Sequence, residues 1–221
     1  MKLSVIVPVY KENPEKFIKN FEIFNDAEII FSVADQKTYN ALKKTKYKVI
    51  KSKKGRGTQL HNGFLNSNSK YLLFMHSDCF FRQDPTDEIT RILKDYEIGA
   101  FSIDFNNGFL MKIAAAMSSF RIDFRNIAFG DQGLFMKRSF YEKMGGFKDI
   151  SLMEDYDFSI RVKKENIKIK RSRQKIYADD RRLKKMGILK SIFTMQKCQY
   201  IYRHTKNYKK CEEIYYTRRQ K

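Results

Sequence analysis

Cysteine is scarce in this chain. Cys79, Cys198 and Cys211 are odd in number, far apart and never in a Cys-x-x-Cys spacing. That pattern excludes a disulfide framework and a cysteine zinc site, and it fits a reducing compartment. Long apolar runs are lacking as well: no window approaches the roughly 20 apolar residues of a membrane-crossing helix. The apolar part of the opening stretch is too short for a secretory leader, and Pro8 and Lys11 close it. A cytoplasmic protein is expected, with any membrane contact peripheral and on the inner face. No repeat and no low-complexity linker divides the 221 residues, so one large domain with a short appendage is expected. Acid is the other deficit. Against 45 Lys and Arg stand 25 Asp and Glu, a formal charge of +20. Such a surplus favours anionic partners: nucleotide phosphates, nucleic acid or acidic lipid. It is heaviest after Lys163.

What is present reads as alternating strands and helices. Residues 3–9 are a β-branched run and predict a first buried strand. Asn13-Pro14-Glu15 predicts a helix start, with Asn13 as cap, Pro14 at the first position and Phe17, Ile18, Phe21 and Phe24 as its apolar face. Strands are expected at 28–33 and 47–50, and helices at 38–44 and from the 52–59 turn to Leu65. In residues 70–81, Lys70 is followed by five apolar or aromatic side chains, Tyr71 to Met75, with no helical period, the mark of a strand buried on both faces. A helix at 86–96 and a strand at 99–105 follow. This alternation implies an α/β fold with a mostly parallel central sheet, right-handed crossovers and flanking helices. Further on, the pattern predicts a core-packing helix at 110–124, a helix at 139–144 stopped by Gly145-Gly146, and another running to Lys164. A small hairpin at 167–169 and 174–178, an amphipathic helix at 186–202 and a basic tail from His204 complete the reading.

Four stretches carry chemistry. His76-Ser77-Asp78 closes the central strand, and in parallel sheets ligands bind beyond the carboxyl ends of strands. Asp78 is a hard oxygen donor and His76 an imidazole donor. Two positions apart on an extended chain, they face the same way. Such a pair suits a divalent cation that in turn holds phosphates. The competing reading is an Asx-type turn with a solvated histidine. Gly55-Arg56-Gly57 at a helix start offers N–H groups, a helix dipole and a guanidinium fork to an anion. Its spacing is not that of a Walker A loop, and a surface turn is the alternative. Gly130-Asp131-Gln132-Gly133 lets the backbone approach a ligand closely. Glu154 and Asp155 stand at a helix start, where the dipole favours carboxylates. Capping explains one of them. With Asp157 and Arg161 following, the group exceeds what a cap requires.

In this order the motifs resemble the family 2 glycosyltransferases of the GT-A fold, over residues 2–203. Ser4-Val5-Ile6-Val7-Pro8-Val9-Tyr10 resembles the family's opening strand. His76-Ser77-Asp78 stands at its Asp-x-Asp, and Leu152-Met153-Glu154-Asp155 at its Glu-Asp helix start. Gly55-Arg56-x-x-Gln59 and His-x-Asp are closest to a subgroup of small bacterial transferases described as selenodomain-associated. The resemblance implies a nucleotide-binding part at about 1–105, an acceptor part at about 106–203 and a basic tail at 204–221. It implies an enzyme that moves a hexosyl group from a nucleoside-diphosphate sugar to a hydroxyl acceptor, with inversion and metal assistance. Asp35 would contact the base, and Arg56 and Gln59 the ribose–diphosphate. Asp78 with His76 would hold Mn²⁺ or Mg²⁺. Asp155 would be the general base, with Glu154 beside it and Gly130, Asp131 and Gln132 on the acceptor side. Arg181 and Arg182 would neutralise the leaving diphosphate. Two departures stand out. The family's Gly-Ser-rich turn is here Ala34-Asp35-Gln36-Lys37. The first acid of Asp-x-Asp is His76, whose nitrogen favours Mn²⁺ over Mg²⁺.

Other classes are weaker. A nucleotidyltransferase needs a glycine-rich loop after the first strand, where Val9-Tyr10-Lys11-Glu12 stand. A nucleic-acid binder is motivated by the charge and thirteen tyrosines, yet the tyrosines do not interleave with arginine. Anionic lipid, and with it a lipid-linked acceptor, is the preferred partner of the basic surplus. An inactive transferase scaffold that binds nucleic acid or an anionic surface is the remaining alternative.

Overall fold

The computed structural model describes residues 2–105, 109–178 and 187–220. Its centre is an eight-stranded sheet with the order β3-β2-β1-β4-β7-β6-β8-β5. The strands are β1 (Leu3–Val9), β2 (Ala27–Val33), β3 (Lys48–Lys51), β4 (Tyr71–Phe74), β5 (Cys79–Phe80), β6 (Ile98–Phe105), β7 (Leu134–Lys137) and β8 (Lys170–Ala178). β1 pairs in parallel with both β2 and β4, placing Val5 between Ile29 and Leu73. All seven of its residues are buried, as a strand covered on both faces requires. Alternate side chains feed two cores. Val5, Val7, Leu73, Phe101 and Phe135 fill one face, while Ile6, Leu72, Phe74, Leu134 and Met136 fill the other with Tyr141 and Phe158.

The mostly parallel sheet is as expected, with two exceptions: β5 is antiparallel to β8 at the edge, and the more consequential one is β7. β7 runs antiparallel to both neighbours, β4 and β6. β6 and β8 are again parallel to each other. Helices α1 (Gln36–Leu42), α2 (Arg56–Leu65), α3 (Thr86–Asp95), α4 (Phe109–Arg125), α5 (Arg138–Lys143) and α6 (Glu154–Lys164) flank the sheet, followed by helices at Ile188–Thr205 and Tyr208–Gln220.

Several local expectations are corrected. The helix expected after Asn13 is two 3₁₀ turns, Pro14–Lys16 and Ile18–Phe21, although Asn13 does cap the first by accepting from the Glu15 N–H. Phe17 and Phe21 pack on Phe31 with ring centroids 5.8 and 5.0 Å away. Burying a phenyl group contributes about 2–3 kcal/mol, more than the roughly 0.5 kcal/mol per residue that separates ordinary helix formers. Side-chain packing therefore overrides the 3.6-residue period. The 70–81 run is not one strand. β4 stops at Phe74, a turn follows, and β5 pairs with β8 at the far edge of the sheet. Of the expected hairpin, residues 167–169 form no strand and Lys170–Ala178 is the single strand β8; Arg171-Ser172-Arg173-Gln174 contains no Gly, Asn or Asp for a tight hairpin turn. An irregularity in the pairing of β8 with β6 absorbs the extra length. The 110–124 helix packs in the core only through one face, with Met111, Ala115 and Ile122 buried and Phe120 and Phe124 exposed. The stretch read as a tail ends one helix and forms another, whose Cys211 is buried beside Cys198.

Asp157 ties α6 to its surroundings. Its carboxylate is 2 % exposed and accepts from Lys148 Nζ at 3.0 Å, Arg161 Nε at 2.8 Å and the Tyr202 hydroxyl at 2.8 Å. Burial raises its pKa, but the Lys148, Tyr202 and Arg161 donors outweigh burial and hold it below the usual value. A lowered folded-state pKa contributes stability that is present above the unfolded value and lost as pH falls through the folded one. Asp157→Asn is expected to lower stability by about 2 kcal/mol at neutral pH. The gap from wild type should close as pH drops below about 4. Denaturant titrations across that range check this, and a gap independent of pH would contradict it.

Candidate active site

A cavity of about 730 Å³ opens at the carboxyl end of β4 and is lined by Arg56, His76, Asp78, Asp131 and Asp155, among others. Four separate stretches of chain bring these side chains together. His76 and Asp78 lie in the turn after β4, where the Ser77 hydroxyl donates to Glu12 Oε2 at 2.6 Å. The same-face argument for an extended strand does not apply to a turn, yet both residues line the one cavity. Asp131 lies in a 3₁₀ turn, Gly130–Gln132, that enters β7. The Gly130 N–H donates to Asp155 Oδ2 at 2.7 Å. A Cβ on Gly130 would stand 2.7 Å from His76 Nε2 and 3.4 Å from Asp155 Oδ2. Only glycine lets this backbone pass between the two side chains.

The acids at the start of α6 are not caps. The N-cap position is Met153, at φ 72° in the left-handed region, and no side chain caps the helix. That bend, held by a Met153 side chain only 1 % exposed, aims Glu154 and Asp155 inward. Strained backbone of this kind concentrates at functional sites. Asp155 reaches the cavity. Glu154 is fully buried behind it, with Arg56 Nε 3.1 Å from its Oε1.

Burial sets the electrostatics. It pushes Glu154 up to about 8, with Arg56 opposing and Asp155 adding to the rise. It likewise pushes Asp131 up to about 6, opposed by Arg121 and reinforced by Asp155 and Asp78. Arg56 is pulled down by burial, but Glu154 and Asp155 more than restore it, so the guanidinium stays charged. The floor is thus an acidic cluster faced by two arginines.

Other predicted residues have different surroundings. Asp35 caps α1, accepting from Thr38 N at 3.0 Å and Lys11 N at 2.7 Å, and does not line the cavity. Burial raises its pKa, but these N–H groups lower it further, leaving it below the usual value. Gln59 is buried and donates to Val9 O at 2.9 Å and Ser32 O at 2.8 Å, tying the ends of β1 and β2 together. Gln132 is also buried and accepts from Arg121 Nη2 at 2.8 Å. Arg181 and Arg182 lie outside the described residues. Sequence reasoning did not place Arg121, Gln199 or Tyr215 in the site, yet all three line the cavity. Arg121 rests 4.1 Å over the Phe129 ring. Its place at the end of an apolar helix was the only signal, and nothing in the spacing linked it to residue 131.

Among the described residues, no group of three or more His, Cys, Asp or Glu side chains could hold a metal ion by itself. His76 and Asp78 supply two donors on the cavity wall, and Asp131 adds acid charge nearby. This donor set fits an ion shared with phosphate oxygens rather than a closed protein cage, as is usual for Mg²⁺ at phosphate sites.

No protein-family model matches the chain, and no curated protein sequence matches it. Solved structures do. The mannosyltransferase PcManGT from Pyrobaculum calidifontis, in complex with GDP-Man and Mn²⁺, superposes with a TM-score of 0.63 at 16 % identity, over 80 % of this chain and 56 % of that one. Residues 1–349 of TarS from S. aureus in complex with UDP give 0.60 at 15 % identity, over 81 % and 60 %. The fold is one that glycosyltransferases use. The expected α/β class, with its GT-A type sheet and a C-terminal helical segment, stands. The chain spans less than two thirds of the length of these two neighbours.

Two outcomes are expected here. A carboxyl whose folded-state pKa is raised loses stability as pH climbs from its ordinary value to the folded one. For Glu154 that window runs from 4.5 to about 8. Glu154→Gln should abolish this slope, so urea titrations from about pH 5 to pH 8 should diverge between variant and wild type; parallel curves would refute a buried, protonated Glu154. Gly130→Ala should cost about 1–3 kcal/mol through overpacking. Thermal denaturation checks it, and an unchanged midpoint would contradict the close approach.

Proposed function

We propose that this protein transfers a glycosyl group from a nucleoside-diphosphate sugar to a hydroxyl acceptor, with inversion. The observation that carries the reading is the convergence of Asp78, His76, Arg56 and Asp155 on one cavity at the end of β4. The neighbours' titles support it: one holds GDP-Man and Mn²⁺, another UDP. The sequence motifs Gly55-Arg56-x-x-Gln59 and His76-x-Asp78 add the likeness to the small bacterial subgroup.

The chemistry follows from the groups present. A sugar leaving a diphosphate passes through an oxocarbenium-like state while charge grows on the phosphate. Arg56, kept charged by Glu154 and Asp155, stands against that charge. Asp78 and His76 would hold Mn²⁺ or Mg²⁺ jointly with the diphosphate. When bound, the ion supplies further positive charge to the phosphate oxygens. Asp155 takes the proton of the acceptor hydroxyl as general base, and the Gly130 N–H orients its carboxylate. One base opposite the leaving group gives a single displacement. Asp35 remains the candidate base contact, because a carboxylate that accepts two N–H groups retains further lone-pair sites. Gly130, Asp131 and Gln132 shape the acceptor side, the last by holding Arg121. The walls formed by Met117, Phe120, Ile192 and Met195 suit an acceptor with an apolar part, such as a lipid-linked hydroxyl compound. Tyr215 extends the working unit beyond residue 203.

The deciding experiment is thermal-shift titration with UDP and GDP, with and without Mn²⁺ or Mg²⁺. One diphosphate is expected to stabilise the protein by about 2.7 kcal/mol at a hundredfold excess over Kd, and Asp78→Ala to lose the effect. Asp155→Asn should keep donor binding while transfer falls by at least about 100-fold. A folded protein that responds to no diphosphate would sink the transferase reading and favour an inactive scaffold.

A further inference from the structure

Among the described residues, every large exposed apolar side chain except Leu65 lies on α4 or on the two C-terminal helices. On α4 these are Ile113, Met117, Phe120 and Phe124, which recur at the i, i+4, i+7, i+11 positions of one helix face. Phe124 is 72 % exposed, and its ring stacks on Phe120 with centroids 4.1 Å apart. Phe193, on the Ile188–Thr205 helix, is 70 % exposed. The opposite face of α4 is already buried in the protein, so this second apolar face is surplus to folding. Contiguous apolar surface of this kind marks an interaction site. Met117 and Phe120 also line the cavity, so the stripe continues to its mouth. Lys112, Lys190 and Lys197 are exposed on the same two helices, and none enters an ion pair among the described residues.

We propose that this face docks on an anionic lipid bilayer, with Phe124 and Phe193 entering the headgroup–acyl boundary and the lysines meeting lipid phosphates. Charge selects this occupant. The chain carries +20, so a second copy brings like charge to the same face, whereas anionic headgroups attract it. Nucleic acid satisfies the lysines and stacks on aromatics, but leaves Ile113 and Met117 uncovered. Among the described residues, no helix is long and apolar enough to cross a membrane, so the contact lies in the interface plane. The docked face presents the cavity mouth to the lipid surface. The proposal does not depend on the transferase reading, and its test uses no nucleotide.

The test is co-sedimentation of the full chain with phosphatidylcholine vesicles, with and without phosphatidylglycerol. Binding is expected to the anionic vesicles alone. The pair Phe124→Ser and Phe193→Ser should lower partitioning by about tenfold or more. Replacing Lys112, Lys190 and Lys197 by Gln should lower it on the order of 100-fold at low salt. Phe124 and Phe193 do not line the cavity, so donor-induced thermal shifts should be unaffected. The chain contains no tryptophan but thirteen tyrosines, so Phe124→Trp is the sole tryptophan and is excited selectively beyond the tyrosine band; its fluorescence should shift to shorter wavelength on vesicles and be quenched by brominated acyl chains. That measurement decides alone if the serine pair fails to fold. Three results would overturn the proposal: no binding to anionic vesicles, binding undiminished by the serine pair with the tryptophan still in water, or a dimer in light scattering that the serine pair dissolves. Oligonucleotide that competes the chain off vesicles through these same phenylalanines would assign the face to nucleic acid instead.

Discussion

A fully buried carboxyl group is the constraint around which this site is built. Glu154 has no exposed surface, and an unpaired charge there costs several kcal/mol. Its neighbour across the junction is Arg56, the first residue of α2. That contact fixes the start of α2 against the start of α6, two elements nearly one hundred residues apart in sequence. The next residue tightens the same junction. The Gly57 N–H donates to Ile150 O at 3.0 Å, and a Cβ on Gly57 would fall 2.0 Å from Lys148 O. With α2 and α6 locked together, Asp155 has one place to point, and the guanidinium of Arg56 is presented to the cavity rather than to bulk water.

The antiparallel strand β7 completes the arrangement. Because it runs against β4, its first residues lie beside the last residues of β4. The Gly130–Gln132 turn that precedes β7 therefore arrives next to His76-Ser77-Asp78. A wholly parallel sheet would carry that turn to the opposite edge. The acids then crowd, which is why Asp78 and Asp155 help to raise Asp131. Arg121, oriented by Gln132, and Arg56 offset the repulsion. Such a floor suits a ligand that brings cations or phosphates, because it contains strong charges of both signs in a partly water-excluded space.

The C-terminal helices do two things. Their inner faces close the cavity through Gln199 and Tyr215 and bury Cys198 and Cys211 against each other's backbone. Their outer face, with that of α4, leaves aromatic side chains in water. The same α4 residues that wall the cavity, Met117 and Phe120, begin that outer stripe, so the entrance to the site and the apolar surface are one continuous feature.

Much of this was legible in the chain itself. The β-branched run at 3–9, the apolar run before His76 and the glycine stop at 145–146 are local signals, and local backbone preference and side-chain alternation are enough to read them. The four chemical motifs were legible for the same reason: residue types, glycines and strand ends announce a site without saying where it is. Tertiary structure decided the rest. It turned a helical period at 14–24 into two 3₁₀ turns, because phenyl burial on Phe31 outweighs helix propensity. It split the 70–81 run, made the expected hairpin one strand, and folded the stretch after His204 into a helix against Cys198. It also separated Gln59 and Gln132, which serve the backbone and Arg121, from Arg56 and Asp155, which face the cavity. A sequence records which groups are available; which of them become mutual neighbours depends on strand direction, and in this chain the reversal at β7 made that choice.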